Sequence, residues 1–284
     1  MMSRFPLQSF RGRTALLTTC LSIAGVITLC GASKSRAITK LSVDPAAEVV
    51  ELFDGIDQKS LEVTYIPKDS TEGNLFVTNT SDKPLTVQMP KAFAAVHVLK
   101  QIGGVGGVNQ GGGGLGGGNA GGGGQSIGGG GGFGGGGGFG GGGGGGLFSV
   151  PAEKTAKIPI KSVCLEHGKA EPKPKMNYEI RRLDEYTDNV ALQELVESYG
   201  SSRDNKNFAA VQAAAWHLAN DMSWQELAQK KIDRIGRADE PYFSGSQLAT
   251  ARGLVNVAVS KAKERKEEAS ETDGDSVRQY NDEK

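Results

Sequence analysis

Residues 103–146 read GGVGGVNQGGGGLGGGNAGGGGQSIGGGGGFGGGGGFGGGGGGG, and 32 of these 44 positions are glycine. Glycine loses more conformational freedom on ordering than any other residue, and it offers no side chain to bury in return. We therefore predict a disordered insertion over residues 102–146. The fold must then be decided by the sequences on either side of this tract.

Both flanks of the tract alternate apolar and polar residues with the period of a β-strand. Before the tract, residues 60–66, 74–80 and 93–99 show this pattern, and after it residues 156–165 continue it. Because the two flanks share one pattern, the tract is predicted to be a long loop within a single β domain spanning residues 45–167.

Residues 74–90, with the sequence NLFVTNTSDKPLTVQMP, are typical of two strands joined by a polar turn. This stretch resembles the strand–turn–strand of immunoglobulin-like domains on secreted bacterial proteins. The resemblance implies a small antiparallel β-sandwich. The expected fold class is α+β, in which an immunoglobulin-like sandwich with a glycine-rich loop insertion precedes a separate helical part.

The pattern changes after a polar, proline-containing linker at residues 168–176. Residues 177–262 contain four amphipathic segments with helical spacing, which predicts a compact four-helix module. The third segment begins with Ser223 and Glu226, a pair typical of a capping box. Residues 263–284 alternate in charge and are predicted to form a disordered tail.

The amino terminus has the features of an export signal. Arg4, Arg11 and Arg13 precede an uncharged, mostly apolar stretch at residues 14–32, and small residues allow cleavage after Ala32 or Ala37. Residues 1–37 are therefore predicted to be a signal peptide, and the protein is predicted to be secreted, periplasmic or in the cell envelope. The alternative is a membrane anchor formed by residues 14–32.

The net charge of the chain and the pattern of its glycines argue against two classes of ligand, nucleic acids and dinucleotide cofactors. The 32 basic and 32 acidic residues cancel, so no global field attracts nucleic acid. The glycine strings lack the following helix and the acidic residue that a dinucleotide site requires, so no cofactor is predicted. Envelope proteins or a polysaccharide remain as partners, with membrane contact only through an uncleaved amino terminus.

Cys164 and His167 have the spacing of half a zinc site. A closed zinc site needs four ligands, and the remaining histidines, His97 and His217, do not form a second pair with ligand spacing. We therefore predict no metal site, with Cys164 at the end of a strand and His167 at the surface. No residue that could orient a Cys164–His167 nucleophile pair can be identified, so no catalytic residue is predicted.

Residues 211–216, with the sequence VQAAAW, carry a second resemblance. They are similar to the glutamine–x–alanine–x–tryptophan stretch of thioester-forming surface adhesin domains, although Val211 stands where those domains commonly carry threonine. The resemblance implies that Gln212 is the acyl partner of Cys164, the only cysteine outside residues 1–37. The alternative is that Gln212 and Trp216, one turn apart, are ordinary packing residues of an alanine-rich helix.

Two functions from different classes follow from the sequence. The first is an exported, non-enzymatic protein with a structural or binding role at the cell envelope or outside the cell. The second is a thioester-type covalent adhesin, or a cysteine-dependent activity, that uses Cys164 with Gln212. The sequence names neither a ligand nor an oligomeric state.

Overall fold

The computed structural model describes residues 36–98, 124–130, 146–201, 207–234, 236 and 238–282. Within these residues the chain forms strands β1 (Glu48–Glu51), β2 (Leu61–Pro67), β3 (Glu72–Asn79), β4 (Leu85–Gln88), β5 (Phe93–His97), β6 (Ile127–Gly130), β7 (Leu147–Val150), β8 (Thr155–Cys164), β9 (Tyr178–Arg182), β10 (Lys231–Ile232) and β11 (Glu240–Pro241). The helices of the same residues are α1 (Leu52–Asp57), α2 (Leu183–Tyr186), α3 (Val190–Ser201), α4 (Phe208–Asn220), α5 (Trp224–Gln229) and α6 (Gly245–Asp282).

Six of these strands close into an antiparallel barrel in the order β2–β3–β8–β6–β5–β9. The closing contact pairs Tyr65 of β2 with Tyr178 of β9. β1, β4 and β7 form a separate three-stranded sheet, in which β4 lies between the other two. The described β structure is therefore a barrel with a small accompanying sheet.

The interior of the barrel is filled by side chains. Tyr65 is 1 % exposed, and its ring lies edge-on to Phe93 and Tyr178 at centroid distances of 6.3 and 6.1 Å. Leu75 and Ile158 are also buried and belong to the same core. Because large side chains from several strands of the barrel pack against one another, the barrel has a packed core.

The prediction of an immunoglobulin-like sandwich was wrong. The alternation correctly placed most strands, but alternation reports which face is buried and carries no information on which strands pair. Two strands close the barrel where the sandwich prediction had none. β9 lies in the part expected to be helical, and β6 lies within the glycine tract.

β6 shows why part of the tract is glycine. Within the segment predicted to be a disordered insertion, residues 124–130 are instead ordered, and residues 127–130 pair with β5 and β8. A Cβ atom at Gly129 would lie 2.9 Å from Ile160 Cγ2 and 3.2 Å from Phe93 Cζ, and one at Gly128 would lie 3.0 Å from Val196 Cγ1. Glycine therefore lets α3 and the barrel core approach this strand closely. Apart from Gly146, the rest of the predicted insertion lies outside the described residues.

The prediction of a separate four-helix module was also wrong. The described part contains six helices, of which three are long, and α3, α4 and α6 pack on one another while α3 and α4 also contact the barrel strands β6 and β8. Shared burial with the barrel explains the difference, since the apolar faces of α3 and α4 are completed by strands. The capping box of Ser223 and Glu226 is confirmed at the start of α5. The charged segment predicted to be a disordered tail continues α6 to Asp282.

None of the helices in the described ranges is both long enough and apolar enough to cross a membrane. Only residues 36 and 37 of the predicted signal peptide lie within those ranges. The alternative anchor at residues 14–32 lies wholly outside them. Export therefore stays a prediction from the sequence.

Candidate functional site

Strand β8 changes its neighbours at its carboxyl end. β3 pairs with β8 as far as Lys161, and beyond it the Ser162 N–H donates to the Thr71 carbonyl at 2.8 Å. On the opposite side, β6 stays paired with β8 as far as Cys164. Within the described ranges, the backbone of Cys164 therefore has one edge without a neighbouring strand, and α4 packs against this end of the barrel.

The side chain of Gln212 on α4 occupies that edge. Its Oε1 accepts a hydrogen bond from the Cys164 N–H at 2.9 Å, and its Nε2 donates to the Cys164 carbonyl at 2.8 Å. Gln212 is 2 % exposed, so both bonds are made away from water. We call this pair of bonds the amide clasp. It satisfies two buried backbone groups that would otherwise be left without partners.

A third hydrogen bond joins α4 to the segment that follows β8. The His167 N–H donates to Asn220 Oδ1 at 3.1 Å. Gln212 and Asn220 stand near the middle and at the last residue of α4, so the helix is held to the barrel at two levels. The segment from Cys164 to His167 is thereby fixed relative to α4.

The thiol of Cys164 is buried and is the only one in the described residues. Burial raises the pKa of Cys164 to about 12, and the carboxylates of Glu171 and Asp69 add to this effect. Because the thiolate is the nucleophilic form, this thiol is held in its unreactive state at neutral pH. The environment of Cys164 is that of an inert core cysteine.

The structure brings the four residues singled out from the sequence into two adjacent contacts. Gln212 meets Cys164 through the amide clasp, and the ring of Trp216 lies edge-on to that of His167 at a centroid distance of 4.7 Å. The clasp engages the backbone of Cys164, which neither the zinc spacing nor the thioester resemblance implies.

Two further residues complete the second contact, and sequence reasoning missed both. The Nζ atom of Lys230 lies 5.4 Å from the centroid of the Trp216 ring and 5.0 Å from that of Tyr242. The same ammonium donates to Nε2 of His167 at 3.0 Å. We call His167, Trp216 and Tyr242 the lysine cage, because together they surround the ammonium of Lys230.

The cage is built where three parts of the chain meet. Lys230 is the C-cap of α5, and its carbonyl accepts a hydrogen bond from the Tyr242 N–H at 2.8 Å. Lys231 and Ile232 then pair with Glu240 and Pro241 in a short hairpin. The hairpin thus returns Tyr242 beside Lys230. No spacing of residues in the sequence predicts that Lys230 and Tyr242 lie side by side. The only sequence feature that points to this site is the adjacent aromatic pair of Tyr242 and Phe243.

The electrostatics of the cage favour a neutral imidazole beside a cation. Burial and the charge of Lys230 lower the pKa of His167, against an opposing effect of the Glu226 carboxylate. The neutral ring offers the lone pair of Nε2 to the ammonium. Burial, and then the carboxylate of Glu171, raise the pKa of Tyr242. One carboxylate therefore acts electrostatically on each of the two titratable members of the cage.

The indole of Trp216 forms the floor of the cage. It is 5 % exposed and also packs against Phe243 at a centroid distance of 5.8 Å. Its Nε1–H is buried and has no hydrogen-bond acceptor within the part of the chain that the structure describes. Its contacts with the described residues are therefore made by the faces and edges of the ring.

The three histidines lie in different surroundings. The Nδ1 atom of His97 accepts from the Gly124 N–H at 3.1 Å, and the ring of His217 stacks on Trp224 at a centroid distance of 4.3 Å. His167 belongs to the lysine cage. Among the described residues no group of three or more histidine, cysteine, aspartate or glutamate side chains could hold a metal ion.

The chain was compared with protein-family models, curated proteins and solved structures, and it matches none of them.

The arrangement offers two kinds of chemistry. The amide clasp places a carboxamide against the residue that carries the buried thiol, and the lysine cage places two aromatic rings and a neutral imidazole around a primary ammonium. The first contact has the components of an acyl-transfer reaction. The second has the components of a cation-binding site.

Proposed function

We propose that this chain is an exported, non-enzymatic protein with a structural or binding role at the cell envelope or outside the cell, where envelope proteins or polysaccharide are its partners. The observation that carries the proposal is the amide clasp. Both polar atoms of the Gln212 carboxamide bond to the backbone of Cys164, and the thiol is buried with a raised pKa. The pair therefore supports the fold instead of a reaction.

Export rests on residues 1–37, and its test uses the full chain produced in a Gram-negative bacterial host. We expect the protein in the periplasm or the medium, with its amino terminus at Ser33 or Ile38. The matched control is the double variant Leu17→Arg and Leu21→Arg, which breaks the apolar stretch and should leave the full chain in the cytoplasm. A mature protein that still begins at Met1 in the membrane fraction supports the anchor and contradicts cleavage.

A second candidate function rests on the closeness of Gln212 to Cys164 in the same contact. If the amide clasp rearranges, the sulfur of Cys164 forms a bond to the Gln212 carbonyl carbon, the carbon–nitrogen bond breaks, and the thiol proton leaves with the amide nitrogen as ammonia. The product is an internal thioester, which a partner's amine would open to an amide. This is the covalent adhesin that the VQAAAW resemblance implies.

Intact mass spectrometry separates the two candidates. The first predicts the unmodified mass of the mature chain and no change with methylamine. The second predicts a mass lower by one molecule of ammonia, and addition of methylamine that is lost in both Cys164→Ala and Gln212→Ala. Gln193→Ala is the matched control, because Gln193 is a buried glutamine on α3 outside the clasp. A normal mass that methylamine leaves unchanged excludes the thioester.

A further inference from the structure

The lysine cage is a cation site that the chain fills with its own side chain. The ammonium of Lys230 lies within 6 Å of two ring centroids, which is the range of cation–π attraction. Hydrophobic stems of lysine pack readily on aromatic surfaces while the charged end seeks a partner. Here that partner is the Nε2 atom of His167 at 3.0 Å.

The contact with His167 determines which cation the cage suits. A neutral imidazole nitrogen accepts a hydrogen bond, and only an ammonium that carries hydrogen can donate one. A trimethylated ammonium would satisfy the two rings but would leave Nε2 of His167 without its donor. The cage is thus matched to a primary ammonium on an aliphatic stem, which is the end of a lysine side chain.

The side chain of Lys230 occupies the cage at a partly exposed position, from which it can move into solvent. Lys230 and Tyr242 are half-buried, and the following residues Lys231 and Ile232 are exposed. The carboxylates of Glu171 and Glu226 act electrostatically on Tyr242 and His167 respectively. Lys230 need only change its side-chain rotamers to leave.

We propose that the lysine cage of His167, Trp216 and Tyr242 binds the side chain of a lysine on a partner protein, and that Lys230 is an internal competitor for this site. The inference gives a ligand class to the binding role proposed above and rests on that role. It is independent of thioester formation and of export, so a failure here leaves the mass and localisation results unchanged.

The direct test measures the binding of Nα-acetyl-lysine methylamide to Lys230→Ala by calorimetry. Removal of the internal competitor should tighten binding at least about tenfold relative to the wild-type protein. Lys231→Ala is the matched control, because it removes the adjacent exposed lysine, and it should bind as the wild type does. Equal affinities for the wild type, Lys230→Ala and Lys231→Ala would overturn the proposal.

Two analogues and two variants test the recognition chemistry in the Lys230→Ala background. Nα-acetyl-norleucine methylamide lacks the ammonium, and the Nε-trimethylated lysine analogue lacks the donor to His167, so both should bind about tenfold more weakly. Tyr242→Phe retains the aromatic face and should bind normally, whereas Tyr242→Leu should lose binding. Equal binding of all three compounds would contradict recognition by the cage.

A measurement on the wild-type protein keeps the proposal testable if Lys230→Ala does not fold. The Nζ atom of Lys230 lies 5.4 and 5.0 Å from the centroids of two aromatic rings, so we expect the NMR signal of the adjacent ε-methylene protons to be shifted upfield in the free protein. Saturating Nα-acetyl-lysine methylamide should return this signal to its random-coil position as Lys230 leaves the cage. A signal that stays shifted at saturation would show that the ligand does not enter the site.

Discussion

The backbone groups on the two edges of strand β8 obtain their hydrogen-bond partners in different ways. On one edge, β6 supplies backbone groups, and its residues Gly128 and Gly129 carry no side chains. On the other edge, beyond the end of β3, one side chain of α4 supplies both the donor and the acceptor. The first edge depends on backbone and on the absence of side chains, and the second depends on one carboxamide.

This comparison separates two kinds of sensitivity in one barrel. We call the side of β8 that pairs with β6 the glycine edge, and the side that bonds to Gln212 the clasp edge. The glycine edge does not depend on any hydrogen-bonding side chain, but it should not tolerate a side chain added at Gly128 or Gly129. The clasp edge should tolerate little change of the one side chain that forms it. Substitutions on the two edges therefore test whether each is organised as the contacts indicate.

The largest effect is expected from breaking the amide clasp. Gln212→Leu keeps the size of the side chain but leaves the Cys164 N–H and carbonyl without partners, so we expect a loss of about 2–4 kcal/mol in the free energy of unfolding. Chemical denaturation monitored by circular dichroism measures it. Ala213→Ser, at a buried neighbouring position of α4, serves as the comparison for a general perturbation of the helix. A cost for Gln212→Leu below that of Ala213→Ser would contradict the clasp.

The glycine edge should respond next. Gly129→Val places methyl groups where a Cβ atom is already within 3.2 Å of Phe93 and closer to Ile160, so we expect a loss of about 1–3 kcal/mol from overpacking. The same denaturation measurement applies. Gly253→Ala is the control, because nothing lies within 4 Å of a Cβ atom at that exposed helical position. Stabilisation by Gly129→Val would show that β6 does not pack as described.

A smaller effect is expected from the thiol itself. Cys164→Ala removes the buried sulfur but keeps the backbone that the clasp binds, so we expect a loss of about 1 kcal/mol. Thermal unfolding of this variant beside Gln212→Leu makes the comparison. If Cys164→Ala lowers the free energy of unfolding as much as Gln212→Leu does, the sulfur of Cys164 contributes as much to stability as the hydrogen bonds to its backbone, which would contradict the expected order.

The smallest effect concerns pH. His167 has a pKa below its ordinary value of 6.5, so the unfolded chain binds more protons than the folded chain when the pH falls below that value. Stability should therefore be fully present above pH 6.5 and decrease as the pH is lowered from there towards the depressed pKa. Thermal unfolding between pH 7.5 and pH 5, compared with His167→Gln, measures this contribution. A flat difference between the two proteins would contradict it.

Much of the secondary structure could be predicted from the sequence, because burial on one face leaves a readable period. The strands near Leu75 and Ile158 and the helices around Val196 and Trp224 lie where their patterns placed them. Closure into a barrel could not be predicted, since pairing partners are chosen by contacts between segments far apart in the chain. β6 had no pattern to detect, because glycine has no side chain with which to alternate.

The candidate site was predictable to a similar extent. The structure brings Gln212 to the backbone of Cys164, whereas the resemblance to thioester-forming domains implied a partnership with its thiol, and His167 and Trp216 meet beside them. The use of the Cys164 backbone depends on where β3 stops, which no local pattern records. Lys230 enters the site because a short hairpin returns Tyr242 beside it, and such a return is a property of the folded chain alone.

The contact between Tyr65 and Tyr178 that closes the barrel has a consequence for the order of assembly. β2 is an early strand and β9 is the last strand of the barrel, and the glycine-rich tract is synthesised between them. The loop-closure entropy must be overcome before that pairing contributes any stability, so folding should be slow for a domain of this size. The barrel of the nascent chain therefore cannot close until β9 has been synthesised. Until then β2 lacks its β9 partner, whereas a protein built from local contacts can pair each element soon after it is made.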